Sequence, residues 1–181
     1  MFSFNGAAIV TIFSLTVANW DLNIDYSTLA AARLKFDWGD YAGAIPFYDL
    51  AIRADKKNAA AIFQRGKCHQ FLGNYRHAIE DYNRTMFIDP DQAEVYYMLG
   101  LLHDLVGRQS LAVFNYCEAI SLDPSHAEAI VSRSFAYYEL YGVETVISDL
   151  KVALDLFLDR GNYVRAKDMV DSIAMLSSQI N

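Results

Sequence analysis

Residues 59–92 read AAAIFQRGKCHQFLGNYRHAIEDYNRTMFIDPDQ and residues 93–126 read AEVYYMLGLLHDLVGRQSLAVFNYCEAISLDPSH; set one above the other, they keep step. Gly66 falls on Gly100, Gly73 on Gly107, Ala78 on Ala112, Tyr82 on Tyr116, and Asp89-Pro90 on Asp123-Pro124. Upstream, Gly39, Ala44 and Tyr48 hold the same interval of 34 residues. Several residue types sharing one such period indicate stacked helical hairpins, each burying its apolar faces against its neighbours.

Within residues 59–92 the spacing predicts a first helix carrying Ile62, Gly66 and His69, a turn at Gly73-Asn74-Tyr75, and a second helix carrying Ala78, Ile79, Tyr82 and Met86. Steps of three and four make one apolar stripe. Gly73 suits a backbone of positive φ after a helix end, and Asp-Pro ends the second helix. Gly66, Gly100, Ala78 and Ala112 are small because the two helices of a hairpin approach closely there.

Carried along the chain, the period divides residues 25–160 into four blocks, 25–58, 59–92, 93–126 and 127–160. The outer blocks are irregular, with Ala32, Lys56, Ser134, Val146 and Leu158 at marked places, as terminal repeats usually are. Residues 161–181 read as an amphipathic capping helix, its apolar side expected to hold Val164, Ala166, Met169, Val170, Ile173, Ala174 and Leu176. Three prolines, nine glycines and no linker among 181 residues suggest a single domain.

The pattern of an aromatic or Leu, then Gly, Tyr, Ala, an aromatic, Ala and Pro resembles the tetratricopeptide repeat family, best in residues 59–92 and 93–126. The resemblance implies an all-α fold, a right-handed α-solenoid of helix–turn–helix hairpins, whose first helices line a concave groove that holds other polypeptides. By the family's inward positions the groove residues are Tyr26, Leu29, Arg33, Phe36, Phe63, Lys67, Phe71, Tyr97, Leu101, Asp104, Leu105, Phe135 and Tyr138, beside Asp37, Ala60, Gln70, Glu94, Glu128, Val131 and Glu139. That is an aromatic and aliphatic surface with an acidic exit. One version of the fold clamps the C-terminal carboxylate of chaperones; here Leu29, Arg33, Gln64, Glu94 and Met98 stand at the clamp positions, and Glu94 would repel such a tail. The expected partner is therefore a protein or peptide with an apolar segment.

A net charge of −7 with scattered Lys and Arg argues against a nucleic-acid groove. Cys68 and Cys117 show no metal or disulfide spacing and read as small buried thiols. His69 and His103 recur at one repeat position where the family puts a core aromatic, so they read as structural. No Ser-His-Asp order, phosphate-cradling loop or HExxH pattern is present, and Asn83-Arg84-Thr85 is a sequon on an expected helix. The expectation is no enzyme, no metal and no cofactor.

Residues 1–24 precede the repeats, and Met1 to Trp20 contains no ionisable side chain. Three readings stand open: a membrane anchor or partner-embedded helix through residues 2–20, a segment packed on the protein itself, and a cleaved signal ending near Thr16-Val17-Ala18. They correspond to a membrane-associated, a cytoplasmic, and a secreted or lumenal protein. Function is expected to be that of a scaffold or assembly factor; the alternative is a permanent subunit of a membrane-associated complex.

Overall fold

The computed structural model describes residues 27–180, save the side chains of residues 139–141. Tyr26 and the segment 1–24, with its three readings, lie outside the described residues. Among those described there are nine helices and no strand. They are α1 (27–37), α2 (Tyr41–Ala54), α3 (Ala59–Phe71), α4 (Tyr75–Ile88), α5 (Ala93–Leu105), α6 (Gln109–Leu122), α7 (Ala127–Tyr141), α8 (Val143–Asp159) and α9 (Tyr163–Ser177).

The chain divides into two compact units, which part after Asp81 inside α4. The physical reason lies in the repeats themselves: each hairpin touches only its neighbours, so no single core gathers the chain.

In the first unit the turns after α1 and α3 are built alike. Gly39 and Gly73 take φ of 79° and 75°, and the amides of Asp40 and Asn74 reach back to the carbonyls of Lys35 and His69 at 2.8 Å. A side chain at these glycines would be strained, which is why the period is punctuated there. Asp40 caps α2 by accepting from the Gly43 amide at 2.9 Å, and Asn58 caps α3 from the Ala61 amide at 2.9 Å. Ala32, Ala44, Tyr48, Ala61, Ile62, Cys68 and Ala78 are buried beneath.

Arg65 ties this unit together. Its guanidinium donates to both oxygens of Asp81, at 2.8 and 2.5 Å, and to Asp49 at 2.6 Å. Asp81 holds the guanidinium above its ordinary pKa.

In the second unit, Gly100 of α5 faces the ring of Tyr116 of α6; a Cβ there would stand 2.6 Å from Cδ1. Tyr116 is fully buried with Ala112 and Ala136, so the ring fills the space that the glycine leaves. At the register of Gly66 and Gly100, α7 carries Ser134, fully buried with its hydroxyl donating to the Val131 carbonyl at 2.7 Å. Arg133 and Asp149 pair through two bonds, 2.9 and 2.8 Å, joining α7 to α8.

The last block departs from the period in two ways. Tyr141 stands where the other blocks have a turn glycine, so α7 runs on and Gly142, at φ 83°, makes the turn one residue late. Phe157-Leu158 stands where Asp-Pro closes residues 59–92 and 93–126, so α8 extends to 17 residues. It then ends at Gly161, φ 67°, with the Asn162 amide on the Phe157 carbonyl at 2.8 Å. This is the hairpin turn of Gly39 and Gly73 again, and five residues on, Ala166 is buried like Ala44, Ala78 and Ala112. The helix expected as a cap thus follows α8 through the same kind of turn and packs on it. Ala166, Met169 and Leu176 are buried against α8 with Ile173 beside them, whereas Val164 and Val170, expected on that side, are 75% and 50% exposed.

Candidate functional site

The inward positions of the first unit converge on a cavity of about 390 Å³ lined by Leu29, Arg33, Phe36, Asp37, Tyr48, Ala60, Ala61, Gln64 and Lys67. Leu29, Arg33 and Phe36 share one face of α1 at steps of four and three. Lys67 of α3 holds its ammonium 5.4 Å from the centre of the Phe36 ring and 5.7 Å from that of Phe63. Both rings offer it their electron-rich faces. Arg33 is exposed, with Asp37 at 3.9 Å. Tyr48 forms the floor, its phenol pushed up to about 12 by burial.

Of the aromatics expected to anchor a partner here, Phe63 is a core residue, 9% exposed. Its ring leaves little surface for a partner and lies under the Lys67 ammonium. Phe71 remains 57% exposed; it stacks on Tyr41 at 4.5 Å and meets Phe36 edge-on at 5.7 Å. Phe36, Tyr41 and Phe71 thus form one aromatic cluster.

The inward positions of the second unit look different. Tyr97 is half-buried, 4.7 Å from the His126 ring and 6.1 Å from Tyr116, and Leu101 is half-buried beside it. Leu105, Phe135 and Tyr138 are exposed at 60, 52 and 44%, and so is Asp104; the Tyr138 hydroxyl donates to Gln179 at 3.4 Å. A second cavity of about 290 Å³ is lined by Ala93, Glu94, Asp123, His126, Glu128 and Arg160.

His126 sits among these acids as the cap of α7. Nδ1 accepts the Ala129 amide at 3.3 Å, which leaves the proton on Nε2 to donate to Glu94 at 3.3 Å. The Glu94 bond raises the His126 pKa despite burial. Arg160 donates to the Ser125 carbonyl and stands 3.8 Å from Glu128. The expected core histidines behave oppositely: burial lowers the pKa of both His69 and His103, and Nδ1 of each has no hydrogen-bond partner among the described residues. His69 lies 5.1 Å from His77.

Cys68 is a buried thiol, raised to about 11 by burial. Cys117, expected to be the same, is only half-buried, with Tyr137 Oη 3.4 Å and Arg133 Nη1 4.0 Å from its sulfur. Among the described residues no group of His, Cys, Asp and Glu has the geometry of a metal site.

Residues 59–92 and 93–126 each match the family model described as tetratricopeptide repeat. Residues 59–126 are therefore two tetratricopeptide repeats. Solved structures agree on the all-α hairpin solenoid. A MamA structure is 22% identical with a TM-score of 0.72, over 90% of this chain and 100% of that one. YrrB, described as a tetratricopeptide repeat protein with an unusual peptide-binding site, is 17% identical with a TM-score of 0.64, over 84% and 86% of the two chains. An O-GlcNAc transferase of Thermobaculum terrenum is 21% identical with a TM-score of 0.68, over 77% of this chain but only 26% of the enzyme. At such identities the likeness is one of fold. No curated protein matches the sequence.

The repeat fold makes this a protein-interaction scaffold whose partners are proteins or peptides. No helix among the described residues is long and apolar enough to cross a membrane.

Proposed function

We propose that this protein is a noncatalytic assembly or adaptor factor that holds an apolar segment of its partner on the first-helix faces. The supporting observation is exposure at the inward register. Phe71, Leu105, Phe135 and Tyr138 all leave large apolar surface in water, which globular chains usually cover unless a partner does. YrrB, similar in fold, is described as having a peptide-binding site. Residues 2–20 supply attachment to a membrane or a complex in this reading, through their uncharged apolar run.

A second reading, a permanent subunit of a membrane-associated complex, draws support from apolar exposure elsewhere, at Phe87 (87%) and at Tyr163 and Val164 of α9. Stoichiometry separates the two: a factor is recovered in substoichiometric, transient association and a subunit at constant ratio. For the groove, Phe71→Ala with Leu105→Ala should abolish recovery of the crosslinked partner from native membranes while circular dichroism is unchanged. Retained recovery by that folded variant would refute groove binding.

A further inference from the structure

Lys67 is placed unlike the other charged groups on the first helices of its unit. Arg65 is spent on Asp49 and Asp81, Lys35 on Asp40, and Arg33 has Asp37 beside it. Lys67 forms no ion pair with a carboxylate among the described residues; two aromatic rings steady its stem and leave the ammonium on the wall of the 390 Å³ cavity. The cavity carries Arg33 and Lys67 against Asp37, a local excess of one positive charge in a chain whose net charge is −7, and the Gln64 side chain adds an amide donor. Along α1, Leu29 and Phe36 lie on either side of Arg33, about 10 Å apart by helix rise. The wall thus reads apolar, cationic, apolar.

We infer that this cavity is a subsite for one Asp or Glu side chain carried between apolar residues in the middle of the partner segment. The inference rests on the groove reading and adds to it the chemistry of one partner position. The flanking residues seat against Leu29 and Phe36, and the carboxylate accepts from Lys67, Gln64 and Arg33. Cation–π contacts hold the ammonium in place beforehand, so little rotamer freedom remains to be lost on binding. A chain-terminal carboxylate would use only one of the two apolar walls.

The test is selection of random peptides on the immobilised full chain and on Lys67→Glu, each library displayed both as an internal loop and with a free C terminus. On the natural sequence, internal peptides should be enriched about three- to fivefold in Asp or Glu between two apolar residues, the size expected of a partly solvated ion pair. On Lys67→Glu, shown folded by circular dichroism, the apolar positions should persist while the acidic preference vanishes or turns to Lys and Arg. Apolar peptides without acidic enrichment, the same acids recovered on Lys67→Glu, or acids only at free C termini would each overturn the subsite and leave the groove standing. Recovery of no apolar peptide on either protein would overturn the groove reading itself.

Discussion

The two units share one backbone rhythm and differ in what they write on it. Residues 1–81 hold eight Lys and Arg against eight Asp and Glu, whereas residues 82–181 hold seven against fourteen, so the whole net charge of −7 belongs to the second half. At equivalent inward places the first unit has Ala60, Gln64 and Lys67, the second Glu94, Met98 and Leu101, and then Glu128 and Phe135. One cavity is therefore aromatic and cationic, the other acidic around His126. The small residues and glycine turns set the spacing of the hairpins, and that leaves the inward positions free to differ.

The largest expected effects compare the two arginine locks. Asp149→Ala takes from Arg133 its carboxylate partner, half-buried at a helix–helix contact, and should lower stability in urea by about 3 kcal/mol. Asp81→Ala should cost less, about 2 kcal/mol, because Asp49 still holds Arg65 at 2.6 Å. A larger loss from Asp81→Ala would show that Asp49 contributes nothing.

Next is the close approach in the second unit. Gly100→Leu drives side-chain atoms into the Tyr116 ring and should destabilise by about 2 kcal/mol in the same measurement. The turns should then show the units to be alike. Gly39→Ala and Gly161→Ala meet no neighbouring atom, so each should cost only the strain of positive φ, about 1 kcal/mol. A clear difference between them would mean that the turn closing α8 is not the device that closes α1.

The smallest effects are in pH, and they run in opposite directions. His69 has a folded pKa below its unfolded value, so its contribution to stability is present above that unfolded value and is lost as pH falls through it toward the folded pKa. His126 has a folded pKa above its unfolded value; its contribution is complete below the unfolded value and is lost as pH rises through the folded one. Imidazole resonances followed by NMR should show His126 titrating above, and His69 and His103 below, the ordinary histidine value.

These contrasts also separate what the sequence exposed from what it hid. The hairpins were legible because Gly73, Ala78, Tyr82 and Asp89-Pro90 each mark a local need, a positive φ, a close approach, a core ring or a helix stop. Gly161-Asn162-Tyr163 with Ala166 repeats the words of Gly73-Asn74-Tyr75 with Ala78, but 54 residues after Gly107 it fell outside the period. The locks were hidden differently: Arg65 and Asp81 are 16 residues apart, as are Arg133 and Asp149, a separation that only the folded hairpin closes. Their recurrence at the same register was the available signal. The site was half legible. Inward register named Phe63, Phe71 and Phe135 alike, yet it could not say that Phe63 is buried while Phe71 and Phe135 stay exposed, since burial depends on the folded packing.

The most direct test of groove binding is site-specific photo-crosslinking in native membranes, with the reactive residue placed in turn at Phe71, Leu105 and Phe135 and, as the contrast, at Phe87 and Phe114, which are exposed but not at inward positions. Groove binding predicts capture of the partner from the first three positions and not from the last two. Capture of the partner from Phe87 and Phe114 alone would contradict it.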